Sequence, residues 1–292
     1  MFQIISDGGC DFTAEEIAKY DVGLVPFYIS FDHENFLKEG VDITKEAYFK
    51  RLLSEKGLFP KTSQPSPQDY IDAYTPHLAA GKDLLVLTIS SKLSGSHSSA
   101  TLAANMIAEE YPDRKIVIVD SSSVTIGQGL ILREIIKMRD NGLTLSHAAE
   151  LAEKVKATTR GYFTLASLEY LKRGGRVGPT TALVGGILGL SPILQLEDGQ
   201  VSQLDSVRGR KRALQLIEEG MVAALKDETD NISLAIGHIL SEEEAVAFKG
   251  NAEAALGMEI TNPITEIGVT IGSHAGPGAI VFGYCRKYEA IQ

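Results

Sequence analysis

The chain has 292 residues, 44% of them hydrophobic and 23% charged, with a formal net charge of −10. That is enough chain for two domains and an ordinary globular core, and the acidic balance excludes a binder of nucleic-acid backbone, which needs a basic stripe. No apolar run reaches transmembrane length. Only Cys10 and Cys285 are present and no Cys/His cluster has zinc spacing, which fits a reducing, cytoplasmic setting with no disulfide framework and no metal.

In chain order, Phe2 to Ile5 reads as a strand that begins almost at the N-terminus, without a signal peptide, and ends in Ser6-Asp7-Gly8-Gly9. Asp11 and Thr13 are caps for a helix running to about Tyr20. Val22 to Phe31 reads as a second strand, with Pro26 marking an edge or bend. A polar loop follows, and Thr44 precedes a helical pattern. Ser66 before Pro67 is a strong helix start, so Thr62, Ser63 and Gln64 lie in an extended segment leading into it.

Leu84 to Ile89 is a buried strand, followed by a hydroxyl-rich loop (Ser90, Ser91, Ser94, Gly95, Ser96) and apolar residues at helical spacing, Leu102, Met106 and Ile107. The first N–H groups of such a helix lack intrahelical partners and carry partial positive charge, so the loop is suited to a small anionic group; Ser94 or Ser96 acting only as a helix cap is the plainer reading. Lys115 to Asp120 is a further parallel-type strand, with helices at Val124 to Arg139 and Leu145 to Thr158. This alternation predicts a doubly wound parallel sheet, whose ligands lie beyond the carboxyl ends of the strands, where Asp7, Ser94 and Asp120 all fall.

After Arg160 the pattern changes. A strand, a short helix ended by Gly174-Gly175, the apolar segment Thr180 to Leu190, a hairpin turning at Asp198-Gly199, and a helix opened by Arg208, Arg210, Lys211 and Arg212 follow in turn. A strand, a helix, then a strand, a Gly-rich loop holding His274 and a last strand close the chain. The expectation is an α/β protein: an N-terminal parallel-sheet domain (1–160) and a C-terminal α+β domain with a mixed or antiparallel sheet (161–292). Asp7 and Asp120 have the usual turn and cap duties of aspartate as their plainer reading; His97, one residue past the Ser/Gly loop, is read as solvated on the helix, and His33, His77, His147 and His238 as structural.

Five motifs, TSQPSP (62–67), SSKLSGSHSSA (90–100), LKRGGR (171–176), VRGRKRAL (207–214) and IGSHAGPGA (271–279), occur together in this order. With them the chain resembles the DegV family, which includes the acyl-binding subunits of bacterial fatty acid kinases. The resemblance covers essentially the whole chain. It implies a long-chain fatty acid held between the two domains, with no cofactor and no catalytic residue of the protein's own. The carboxylate would be held by Thr62, Ser94 with the Gly95 N–H, and His274, with Ser63 and Ser96 as secondary contacts and Arg176 nearby. Arg208 or Arg210 would meet the kinase subunit, and membrane or acyltransferase contacts would be transient. One departure is the run Ser6-Asp7-Gly8-Gly9-Cys10-Asp11, with glycine where the family commonly has serine.

The residues also say why such a ligand is suited. Burial of a sixteen-carbon chain is worth on the order of 10 kcal/mol before ordering costs, and Thr180 to Leu190, with Gly185, Gly186 and Gly189, is a candidate tunnel lining. Neutral donors would satisfy a carboxylate while leaving it open to phosphorylation. Two other classes compete: a serine hydrolase with Ser94, His274 and Asp7 or Asp120, which lacks a G-x-S-x-G elbow, and an enzyme of a phosphate-bearing ligand, which lacks a Walker A or G-x-G-x-x-G motif.

Overall fold

The computed structural model describes residues 2–55, 57–177 and 189–291. Thr180 to Leu188, most of the apolar segment proposed to line a tunnel, lies outside the described residues.

The first half runs β1 (Gln3–Asp7), α1 (Ala14–Lys19), β2 (Val22–Val25), β3 (Tyr28–Ser30), β4 (Leu37–Lys38), α2 (Lys45–Ser54), β5 (Lys61–Ser63), α3 (Pro67–Ala79), β6 (Leu84–Thr88), α4 (Ser96–Ile107), β7 (Ile116–Asp120), α5 (Ile126–Asp140) and α6 (Leu145–Thr158). The second half runs β8 (Arg160–Thr164), α7 (Glu169–Gly174), β9 (Leu190–Glu197), β10 (Gln200–Arg208), α8 (Arg210–Leu225), β11 (Ile232–His238), α9 (Glu242–Leu256), β12 (Thr265–Glu266), α10 (Val269–Ala275) and β13 (Ile280–Arg286).

The fold class is the expected α/β arrangement. Strands β2-β1-β6-β7 form a wholly parallel sheet. Its two central strands, β1 and β6, are buried along their whole length, as a sheet covered on both faces requires. Alternating side chains divide between the faces: Ile5, Leu84 and Val86 pack with Tyr70, Tyr74 and Ala100 of α3 and α4, whereas Ile4, Leu85 and Leu87 pack with Leu130, Ile131 and Leu151 of α5 and α6. The second sheet, β10-β9-β8-β13-β11-β12, is antiparallel except for the β11–β12 pair. On one of its faces Leu234, Ile236, Ile280 and Phe282 pack with Ile217 and Met221 of α8 and Phe248 of α9, while Leu194, Leu196 and Val281 on the opposite face join the cluster of α5 and α6. The layers are therefore helix, sheet, helix, sheet, helix, with α5 and α6 shared by both sheets. This explains why α5 is buried on nearly every side.

Two elements differ from expectation. The stretch Val22 to Phe31 is two strands in different sheets: β2 stays in the parallel sheet, and after Pro26 the chain turns away so that β3 pairs with β4 and β5 in a small antiparallel sheet. Proline has no N–H to continue the ladder. In the segment before β13 the expected strand is only the two-residue β12, and in place of the Gly-rich loop most of the segment is a helix, α10, with His274 in its last turn.

Candidate binding site

The site forms at the carboxyl ends of the parallel strands, between β1 and β6, where the connections on the two sides run in opposite directions. Asp7 ends β1 there, fully buried. Its carboxylate accepts from Gly9 N (3.1 Å), Ile89 N (2.9 Å), Gln128 Nε2 (2.8 Å) and Ser96 Oγ (2.7 Å), fastening β1, β6, α4 and α5 together. Burial raises its pKa, and these donors work in the opposite direction. Asp7 is thus a structural tie, and Asp120 likewise serves its own turn, accepting from Ser122 N (2.7 Å) and Ser91 N.

Beyond β6 the chain turns tightly, with Leu93 N and Ser94 N both donating to Ser90 O. Ser94 Oγ accepts from Ser96 N (3.2 Å), and Gly95 stands at the N-cap of α4 without a side-chain cap. Ser94 and Gly95 line a cavity with about 1060 Å³ of empty space, part of it open to solvent. Thr62, Arg176 and His274 line the same cavity. Ser63 and Ser96 do not. Ser96 is buried one step into α4, where its hydroxyl is taken up by Asp7 and by Tyr70 OH (2.7 Å); Ser63 Oγ reaches only Gln64 O at 3.5 Å.

His274 reaches the cavity because α10 is held from both ends. Asp11 Oδ1 accepts from Gly268 N (2.9 Å), and Glu39 accepts from Val269 N, Thr270 N (3.1 Å) and Thr270 Oγ1 (2.6 Å). Carboxylates at a helix N-terminus satisfy its free N–H groups and its dipole. Midway, Tyr48 OH and Ser273 Oγ pair at 2.7 Å, and a side chain on Gly272 would meet Phe49 Cζ at 2.8 Å, so the helix packs directly on α2. At its end, His274 Nε2 pairs with Thr62 Oγ1 at 2.8 Å. His274 Nδ1 is buried and has no partner among the described residues. Burial, and after it the nearby Arg176 guanidinium, push the imidazole down to about 4, so it is neutral at pH 7. Arg176 is exposed, its Nη1 donating to Gly174 O (2.5 Å) and its Nε reaching Leu93 O at 3.5 Å.

Gln64, Ser123, Thr125 and Thr270 are the other polar side chains of the lining, and most of what remains is apolar. Phe163, Leu196, Val201 and Val281 come from the inner face of the second sheet, Val124 and Ile126 from the start of α5, and Ile89, Leu165, Ile267 and Ile271 from the loops and helix around it. None of these was singled out from the sequence as a wall of the site. The alternating strand pattern marks them as buried, but not as facing a void. The sequence reading also missed Glu39 and Asp11 as the supports of α10, and Gln64 as part of the lining.

The docking candidates lie elsewhere. Arg208 is exposed at the end of β10. Arg210 opens α8 and is paired with Glu244 of α9, Nε to Oε1 at 2.8 Å. Arg212 pairs with Glu219 at 3.2 Å. Among the described residues there is no group of three or more metal-ligating side chains, and no helix is long and apolar enough to cross a membrane.

A family model described as that of the uncharacterised DegV proteins matches residues 1–287. This chain belongs to the DegV family. A DegV domain-containing protein of Clostridium acetobutylicum is 35% identical over 286 residues, covering 97% of this chain and 96% of the relative. Among solved structures, a stearic acid-binding protein from Eubacterium ventriosum superposes with a TM-score of 0.94 at 33% identity, over 99% of each chain. A fatty-acid-binding DegV protein from Thermus thermophilus gives 0.87 at 29% identity, over 98% of this chain and 99% of the other.

Proposed function

We propose that this chain is a carrier of a long-chain fatty acid, with the acyl chain in the apolar part of the cavity and the carboxylate at Thr62, Ser94, the Gly95 N–H and His274. The observation that carries this reading is one cavity with an aliphatic and aromatic wall and a small group of polar side chains, neutral except for the exposed Arg176. The wall supplies affinity: a sixteen-carbon chain gains on the order of 10 kcal/mol from burial before the costs of ordering it. The polar group supplies orientation. A buried carboxylate needs partners; two hydroxyls, a backbone N–H at a helix start and a neutral imidazole provide them. The similarity to solved structures described as fatty-acid-binding supports the same ligand class.

A site without a bidentate cation clamp leaves the carboxylate chemically available. The carrier would present it to a separate kinase subunit for ATP-dependent phosphorylation and then hold the acyl phosphate, contributing no catalytic group itself. Arg176, exposed beside His274 and hooked to Leu93 O, is placed to meet the added negative charge. Arg208 is the docking candidate whose side chain remains exposed; for Arg210, contact with a partner would compete with its Glu244 pair.

The hydrolase alternative is less favoured by the geometry. Neither Asp7 nor Asp120 is a hydrogen-bond partner of His274, Asp7 being committed to four other donors, and the imidazole pairs with Thr62 rather than Ser94. The test is uptake of radiolabelled palmitate by the delipidated protein, comparing wild type with the Ser94→Ala/His274→Ala double variant. Loss of two hydrogen bonds to a charged group is worth about 3–6 kcal/mol, so retention should fall at least a hundredfold and phosphorylation by a fatty acid kinase should be lost. Unchanged uptake and turnover would sink the assignment.

A further inference from the structure

Gln64 lines the cavity although it is itself exposed, and the carboxylate contacts above give it no task. It leaves β5 two residues after Thr62. Its Nε2 donates to Ser99 Oγ (3.1 Å), within the first turns of α4. On the way the carboxamide crosses Gly95: a Cβ built there would lie 2.7 Å from Gln64 Cδ and Nε2, and closer still to Oε1. Gly95 has φ −76° and ψ 7°, a conformation open to any L residue. Backbone geometry therefore sets no demand for a glycine at this position, and what a Cβ there would have to displace is the Gln64 carboxamide.

The proposed carboxylate contacts come from three separate segments: Thr62 on β5, Ser94 and Gly95 before α4, and His274 on α10. The Thr62–His274 bond joins the first to the third. Gln64 spans the first and the second, between the cavity and solvent. We propose that Gln64 is the gate of the carboxylate site: its side chain closes the mouth over Ser94-Gly95, is held shut by Ser99, and swings out when the ligand's acidic group is to be reached. The ligand in this statement rests on the fatty-acid reading; the clasp between Gln64 and Gly95 does not. The chemistry suits a gate. A neutral amide neither traps a carboxylate nor repels it, and one hydrogen bond from an exposed side chain is weak enough to open and close rapidly.

The proposal makes Gly95→Ala a way of prying the gate open without touching Gln64, because the added methyl occupies the carboxamide's place while the Gly95 N–H is kept. Two measurements on Gln64→Ala, Gly95→Ala and the double variant test it. In the delipidated protein, the Gln64 side-chain NH2 signals, identified by their loss in Gln64→Ala, should be dispersed in wild type and move to random-coil positions in Gly95→Ala. Random-coil signals in wild type, or unmoved signals in Gly95→Ala, would overturn the clasp. In protein loaded with radiolabelled palmitate, transfer to phosphatidylcholine vesicles should be about tenfold faster than wild type in each single variant and no faster in the double variant than in either single one, as loss of one shared hydrogen bond implies. Wild-type release from loaded Gln64→Ala would overturn the gate. Wild-type protein that takes up no palmitate would defeat the fatty-acid reading, while the amide signals would still decide the clasp.

Discussion

At the scale of single residues, two titrating groups near the site pull stability in opposite directions. His274 has its pKa pushed by burial to about 4, below its ordinary 6.5. On acidification the unfolded chain takes up the proton first, so the contribution of the buried neutral ring is complete above about pH 6.5 and is lost as pH falls towards 4. Asp11 is pushed by burial up to about 7 from its ordinary 3.8. Its folded form holds a proton that the unfolded chain releases, so its contribution is complete below about pH 3.8 and is lost as pH rises through about 7. Between pH 4 and 6.5 the two slopes oppose each other, and bulk stability reports neither. The His274 ring should instead be followed by NMR: it stays neutral from pH 8 to 5 and titrates near 4. A midpoint between 6 and 7 would mean a solvated ring and a different site. Legibility at this scale follows direction. Thr62, Ser94, Gly95 and His274 stand out in the sequence as hydroxyls, glycine and a histidine in Gly/Pro-rich company. Ser96 looks just as suitable as Ser94 in the sequence, but two steps along a starting helix turn its hydroxyl away from the cavity and onto Asp7.

At the scale of elements, α10 shows how a helix can be hidden in a sequence. Val269, Thr270 and Ile271 favour strands, and the glycines that follow favour loops. The helix forms because Asp11 and Glu39, both more than 200 residues earlier in the chain, accept its first N–H groups, and no local pattern reveals such partners. Glu39→Ala removes the acceptor for two backbone N–H groups and the Thr270 hydroxyl. It should cost about 1–2 kcal/mol, read as a lower urea midpoint at unchanged slope, and should also weaken palmitate retention by loosening His274. Wild-type stability and retention together would show that α10 is held by Asp11 and by its packing on Tyr48 and Phe49, without need of Glu39. The hairpin is the converse case. Asp198 and Gly199 both take positive φ, 48° and 76°, as a two-residue hairpin turn requires, and Asp-Gly is the local signal for it. There the sequence and the structure agree because the cause is local.

At the scale of the whole molecule, the cavity belongs to no single element. Its walls are the inner face of the second sheet, the start of α5, the loop after β6 and α10, brought together by two sheets that share one helical layer. The strand–helix alternation was legible as a parallel sheet followed by a different second half. The void between them was not, because periodicity says which side chains are buried and is silent on what they face. The ligand class came into view from the sequence only through the order of five motifs shared with a family. The central claim, that the cavity holds a fatty acid, is tested most directly by native mass spectrometry of the protein as purified, with organic extraction of whatever is released. The account predicts one long-chain fatty acid per chain, bound at purification or taken up when palmitate is added. A chain that is empty as purified and stays empty with added palmitate would contradict it.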